Sequence, residues 1–201
     1  QYGQVDVFLS GENCHLPTSL PVKYKSRGVS LFYGNRGGLN YFKMWQKFSI
    51  KRIWKEAKAL PVEDYDIVIN DFECITSLAC KLKNKPSIQF GHQASFQSKL
   101  TPRASNFNPL GNWVLNKFVK STDYLGLHFE SYDKNIYNPI IKDEIINAFP
   151  IDNGHITVYL PQYSLSILNP YLLAQSKFSF EVFTKEVKQI TKYNNITLLP
   201  I

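Results

Sequence analysis

The residues best equipped for chemistry lie in one stretch, residues 65–93, YDIVINDFECITSLACKLKNKPSIQFGHQ. Asp71 and Glu73 stand two apart after a short apolar run, and His92 follows Gly91 after a second one. A carboxylate in such a place can accept a hydrogen bond from a sugar hydroxyl, or act as general base where its pKa is raised. An imidazole is the base best matched to neutral pH. Gln93 could orient a polar ligand beside it. Each residue also has a plainer use. Asp71 or Glu73 could cap a following helix, and His92 could be a hydrogen-bonding loop residue.

The flanking pattern says which elements would position these groups. Asp66-Ile67-Val68-Ile69-Asn70 is an apolar run of the kind found in a strand buried on both faces. Ile75, Leu78, Ala79 and Leu82 recur at i, i+3, i+4 and i+7, the stripe of a helix lying on a sheet. Pro86 then restarts an extended run, Ser87-Ile88-Gln89-Phe90. Strand, helix, strand makes a βαβ unit with a right-handed crossover. In open parallel sheets ligands bind beyond the carboxyl ends of the strands. Asp71, Glu73, Gly91, His92 and Gln93 would then share one crevice.

The same alternation runs along the chain. Strands are expected at residues 5–10, 21–25, 124–129 and, as an edge, 138–142. The longest helical stretch is 41–60, whose apolar stripe shifts from Tyr41, Met44, Trp45 and Phe48 to Ile50, Ile53, Ala57 and Leu60. That shift predicts a bend near Ser49 or burial on two sides, and Pro61 ends the helix. Residues 95–110 read as a long polar loop, followed by a helix over 111–120. Residues 148–153 carry Pro150, Asp152 and Asn153 and read as a linker. Beyond it come a strand at 156–160, a helix with Leu165, Leu168 and Leu172, and strands at 178–183 and 196–199. His128 falls in an apolar strand and reads as a core residue; His155 opens a strand and reads as exposed. The elements predict an α/β chain: a Rossmann-like parallel sheet with helices on both faces, plus the start of a second Rossmann-like domain. The domains expected are 1–147 and 155–201, joined by 148–154.

Composition narrows the partners. The 201 residues carry a net charge of +7, with 23 Lys and Arg against 16 Asp and Glu. A basic balance favours anionic partners such as phosphorylated substrates, an anionic membrane surface or nucleic acid. No aromatic-basic recognition motif is present, so nucleic acid is the least favoured. Lys47, Lys51, Arg52, Lys55 and Lys58 form a basic helix, either a solvated face or a surface resting on phospholipid headgroups. Gly34-Asn35-Arg36-Gly37-Gly38 could form an anion nest with the Arg36 guanidinium. It is neither a P-loop nor a dinucleotide fingerprint, and its plainer reading is a turn before a helix. The 3 cysteines, Cys14, Cys74 and Cys80, show no CxxC spacing, and Cys74 and Cys80 do not share a helix face. That usage fits a reduced, cytosolic chain. Cys14-His15 has no matching second pair of ligands, so no metal is expected. No apolar run reaches the ~18 residues of a membrane-spanning helix.

Several segments resemble the N-terminal domain of GT-B glycosyltransferases, in particular an uncharacterised bacterial and archaeal group similar to the peptidoglycan-precursor N-acetylglucosamine transferases. They are VDVFLSG (5–11), LPVKYKSRGVSLFYGNRGGLNYFK (20–43), PVEDYDIVINDFE (61–73) with its continuation to residue 96, DYLGLHF (123–129) and GHITVYLPQY (154–163). The resemblance implies two Rossmann-like domains facing a cleft, with acceptor on the N-terminal side and nucleotide-sugar on the C-terminal side. It implies transfer without a metal or other cofactor. Gly91, His92 and Gln93 would line the acceptor side. His92 and Asp71 become the candidate catalytic groups, and Glu73, Gln93, Gly91 and Arg36 the candidate acceptor contacts. The family carries a glycine-rich turn where Asp71 stands, a departure at that position. It also has a glycine-rich loop ending in His before the segment matched by Gln1, where the resemblance implies the catalytic base lies, and a donor-binding half beyond Ile201. The chain then reads as a fragment, inactive alone, of a cytoplasmic enzyme working at the inner face of the membrane on a lipid-linked acceptor. Two rival readings remain: a non-catalytic sugar- or nucleotide-binding module of the same fold, and a basic binder of anionic or membrane surfaces.

Overall fold

A computed structural model describes residues 3–12, 17–103 and 109–201. In chain order the elements are β1 (Val7–Ser10), β2 (Val22–Ser26), α1 (Tyr41–Lys47), α2 (Ile50–Ala59), β3 (Val68–Asn70), α3 (Cys74–Leu82) and β4 (Ser87–Gly91). A 3-10 turn (Gln93–Gln97) follows, then α4 (Pro109–Trp113), which runs on as a π turn (Val114–Phe118). The rest are β5 (Asp123–Leu127), β6 (Ile136–Tyr137), α5 (Asp143–Ile146), β7 (His155–Tyr159), α6 (Leu165–Leu173), β8 (Ser179–Thr184), β9 (Thr191–Tyr193) and β10 (Ile196–Pro200). The chain is α/β, with parallel strands and helices compatible with a Rossmann-like fold. Residues Gln1–Ser30 and Phe48–Lys142 form one compact unit, Leu31–Lys47 and Asp143–Ile201 another.

The first unit is built on the parallel sheet β3-β4-β5-β6, with β1 and β2 as a separate parallel pair. Asn70 pairs with Gln89 and Gly91 with Gly126, so β4 runs two residues past the end of β3, and β5 one residue past the end of β4. The core forms where α2 and α3 present Ile53, Ala57, Ile75, Ala79 and Cys80 to Val68, with Phe8 and Tyr24 of the strand pair packed against it. Ile75 and Ala79 have no exposed surface, so the sequence stripe is the buried one. Burial is one-sided at β3, however. Val68 faces the helices, while Ile67 and Ile69 are 57% and 62% exposed. The expected strand buried on both faces is thus covered on one. A continuous apolar run records what each face could bury, not whether an element arrives to cover it.

The helix expected over 41–60 is two helices. Ser49 has extended backbone (φ −139°), and its hydroxyl accepts from the Arg52 amide at 3.3 Å, starting α2 afresh. The stripe shift marks this break: α2 buries Ile53 and Ala57, and α1 buries none of its residues. Ser49→Ala is expected to cost about 1 kcal/mol, the usual loss of a hydroxyl N-cap. Urea unfolding followed by far-UV circular dichroism measures it, and an unchanged midpoint would refute the cap. Arg52 leaves the expected basic surface. It donates to the Gly28 carbonyl at 2.8 Å and pairs with Glu56 at 3.3 Å. The edge strand expected at 138–142 lies earlier, at Ile136–Tyr137. There the Ile136 side chain is buried, while Ile140 is 82% exposed.

In the second unit the sheet order is β7-β8-β10-β9, parallel except for β9. Its core joins Leu165 of α6 to Phe180, Val182, Ile196 and Leu198, with Leu168 and Leu172 beside it. The Asn195 side-chain amide donates to the carbonyls of Leu172, Gln175 and Phe178, clasping the end of α6 to the start of β10. His155 is less open than expected; its Nε2 lies 3.3 Å from a Glu181 carboxylate oxygen on the neighbouring strand.

Candidate functional site

The carboxyl ends of β3, β4 and β5 carry the candidate groups, and local backbone geometry separates their roles. Phe72 sits in the left-handed region (φ 51°), its ring 5.7 Å from that of Phe118. This bend between Asp71 and Glu73 sends the two carboxylates in different directions. Glu73 turns toward α3. Its oxygens accept from the Ile75 amide at 2.9 Å, the Thr76 amide at 2.6 Å and the Ser10 hydroxyl at 2.9 Å. Asn70 completes the clasp, donating to the Glu73 carbonyl and accepting from the Glu73 amide, both at 2.7 Å. Glu73 is therefore the N-cap of α3 and its tie to β1, which leaves little for an acceptor. The helix-capping alternative applies to this residue.

Asp71 lies instead over Gly91. A Cβ built on Gly91 would stand 2.8 Å from the Asp71 Oδ1, and Gly91 has φ 118°, a conformation side-chain-bearing residues rarely adopt. Gly91 thus serves the site through its missing side chain: it lets a carboxylate settle on the β4 end. Asp71 as a residue remains exposed, and the partial burial of its carboxyl raises its pKa above the usual aspartate range. A carboxyl so placed holds a proton more readily than a solvated one, as a general acid or base must.

His92 follows directly and is held by its other ring nitrogen. Nδ1 lies 3.1 Å from the Leu127 carbonyl of β5. A carbonyl oxygen can only accept, so Nδ1 carries the proton and neutral His92 presents a lone pair on Nε2. The turn beneath the ring is anchored by Ser95, whose amide and hydroxyl both donate to the His92 carbonyl. Ser95 is fully buried against Gly126, where an added Cβ would come within 2.7 Å of the Ser95 Cα. Gln93 is half-buried in the same turn, its amide without a hydrogen-bond partner among the described residues.

His128 was not expected here. It follows the end of β5 and stacks on His92, with ring centroids 5.5 Å apart, rather than entering the core. Phe96 and Tyr132 complete an aromatic frame around the two imidazoles. The expected strand runs to residue 129 and so covers His128, whereas β5 ends at Leu127 and leaves the imidazole beyond it.

Asp133 ties this frame together. It accepts from the Ser98 hydroxyl at 2.8 Å, at the end of the His92 turn, and from the Tyr124 hydroxyl at 3.1 Å. These bonds, Ser98 first, hold its carboxyl below the ordinary value of 3.8. A depressed carboxyl pKa contributes stability present above the unfolded value and lost as pH falls through the folded one. The turn is therefore expected to loosen below pH 3.8, read as faster exchange of the Ser98 and Leu100 amides. Unaltered acid dependence in Asp133→Asn would remove the carboxylate from that role.

Arg36 belongs to the second unit. Its segment bridges to Tyr163, and an added Cβ on Gly37 would strike the Tyr163 ring at 2.4 Å. The Gly34 and Gly37 amides, which an anion nest would aim at its ligand, bond within the turn to the Gly38 and Gly34 carbonyls. The turn reading holds, and Arg36 is exposed. Cys14 and His15, and residues 104–108 of the long loop, lie outside the described residues. Burial first, then Glu73, pushes the Cys74 thiol up to about 12, so it is an inert thiol near neutral pH. Among the described residues no group of three or more His, Cys, Asp and Glu is placed to hold a metal, and no helix is long and apolar enough to cross a membrane. No known family model, curated protein or solved structure matches the chain.

Proposed function

We propose that the first unit is the acceptor side of a glycosyltransferase of the GT-B type, taking a sugar from a nucleotide-sugar to a hydroxyl acceptor. One observation carries the reading. His92, fixed through Nδ1 to the Leu127 carbonyl, leaves Nε2 free, and Asp71 rests on the adjacent Gly91, at the carboxyl ends of parallel strands. Ligands of open α/β sheets bind at that edge, and sugar transfer to a hydroxyl needs a base there.

In the proposed step His92 Nε2 takes the acceptor hydroxyl proton as the oxygen attacks the anomeric carbon. The bond from that carbon to the nucleoside diphosphate breaks, and the diphosphate leaves with the electron pair. Asp71 and Gln93 hold the acceptor's remaining hydroxyls, the carboxylate accepting from them and the amide donating or accepting. His128, Phe96 and Tyr132 give the apolar face of a sugar ring a surface to lie on. Neither a metal nor another cofactor enters the step. The positive balance of the chain suits a phosphorylated or lipid-linked acceptor at an anionic membrane.

The test is a screen of nucleotide-sugars with hydroxyl acceptors, using the protein encoded by the complete reading frame that contains this chain. Release of nucleoside diphosphate that depends on the acceptor supports the proposal. Donor binding without acceptor-dependent release would favour the non-catalytic module, and no donor binding at all would defeat both.

A further inference from the structure

At the opposite edge of the first unit's sheet, a groove of about 450 Å³ opens where β4 and β5 begin. Three segments meet there. The end of α3 brings Lys81, the turn after it brings Lys85, and the approach to β5 brings Lys120, Ser121 and Thr122. The lining is largely apolar, and these lysines and hydroxyls are among the polar residues that border it. None of the three ammonium groups forms an ion pair or hydrogen bond among the described residues, although the Lys120 backbone bonds the Ser77 hydroxyl. Lys83, which points elsewhere, shows the contrast: its ammonium binds Glu63 at 2.7 Å and the Leu60 carbonyl at 2.7 Å. Lys85 acts on Glu63 only through space, helping to hold that carboxyl below its usual range.

The hydroxyls point the same way. Thr122 Oγ1 accepts from the Ser87 amide at 3.1 Å, which leaves its hydrogen to donate. Ser121 Oγ is buried and has no hydrogen-bond partner among the described residues. A buried hydroxyl without a partner is destabilising, and here its residue lines a groove bordered by three lysines. The lysines at the end of α3 also offset the negative pole of that helix. Lys120, Ser121 and Thr122 come from another element, so the dipole does not account for them.

We propose that this groove binds a phosphate-bearing ligand, with Lys81, Lys85 and Lys120 neutralising the phosphate and the Ser121 and Thr122 hydroxyls donating to its oxygens. The site is separate from the edge carrying Asp71 and His92, and it does not depend on the glycosyltransferase reading. The phosphate could be free or the headgroup of an anionic lipid.

Inorganic phosphate is titrated against chloride at equal ionic strength, with amide resonances as the readout. The Ser121, Thr122 and Lys85 amides are expected to shift with phosphate, while the His92 and Gln93 amides do not. Lys81→Gln with Lys120→Gln, both exposed lysines, is expected to weaken binding about fivefold or more, the effect of losing two surface charge contacts. Ser121→Ala is expected to weaken phosphate binding yet raise the stability of the free protein, because the orphaned hydroxyl is gone. A second arm adds phosphatidylglycerol to phosphatidylcholine vesicles. Vesicle binding lost in the double lysine variant assigns the phosphate to a lipid headgroup; phosphate binding without vesicle binding assigns it to a free ligand. Absent or diffuse shifts, or shifts unchanged in the lysine variant, would overturn the site.

Discussion

His92→Ala, in the protein from the complete reading frame, is expected to lower acceptor turnover by about 10²- to 10⁴-fold, the usual contribution of a positioned general base. The loss should fall on kcat, with nucleotide-sugar affinity unchanged, because His92 stands on the acceptor side of the proposed step. Its geometry makes the effect specific. The Leu127 carbonyl fixes the ring and the tautomer, so Nε2 is oriented before any substrate arrives. Alanine removes the base and leaves the Leu127 carbonyl to solvent, a small cost at an exposed position. His128→Phe supplies the control. It keeps an aromatic ring stacked on His92 but removes a second imidazole, and it should retain most of the turnover. If His128→Phe lost activity and His92→Ala kept it, the base would be His128. Equal activity in both variants would remove the imidazoles from the chemistry.

The sequence made the βαβ unit legible because its signals agree. The stripe from Ile75 to Leu82, the restart at Pro86 and the polar residues after each strand all describe strand, helix, strand. The parallel register of β3 and β4 follows from that order. Three features were not legible, each because it depends on something other than local pattern. The left-handed Phe72 separates Asp71 from Glu73, and nothing about a phenylalanine announces a positive φ. Exposure of Ile67 and Ile69 depends on which elements reach that face of the sheet. β9 is a polar triplet, Thr191-Lys192-Tyr193, paired by a turn at left-handed Asn194 rather than by its own hydrophobicity. His128 is an intermediate case: its type suggested chemistry and its apolar setting suggested core, and only strand register decides between them.

The separation of Asp71 from Glu73 also changes what the site consists of. Read as a sequence, two carboxylates and an imidazole face one crevice. In the structure one carboxylate closes the start of α3, and the other is held over a glycine beside the imidazole. Glu73 thereby fixes where the chain enters α3, and Asn70 locks the same turn from the strand side. Asp71 has no such bond to anchor it among the described residues. Its position rests on the space that Gly91 leaves.

Gly91→Ala tests that dependence directly. The methyl group would meet the Asp71 Oδ1 at 2.8 Å, and the backbone at φ 118° disfavours any side chain. Together these are expected to cost about 1–3 kcal/mol, the usual range for a residue forced into a sparsely populated backbone region. The carboxylate, pushed outward, should regain solvent, and its pKa should fall back toward the ordinary aspartate range. The sign of the pH dependence follows. A carboxyl raised by burial contributes stability that is present below the unfolded pKa and lost as pH rises through the folded one. Gly91→Ala should therefore flatten that segment of the stability profile, on top of its uniform cost. The two causes separate in a double-mutant cycle with Asp71→Ala. Removing the carboxylate relieves the clash and leaves the backbone strain, so the glycine substitution should cost less in the Asp71→Ala background. Urea unfolding gives the four stabilities, and a carboxyl-carbon titration gives the Asp71 pKa. An equal cost in both backgrounds, with the Asp71 pKa unmoved, would mean that the carboxylate does not rest on Gly91, and the proposed pairing of Asp71 with His92 would fall with it.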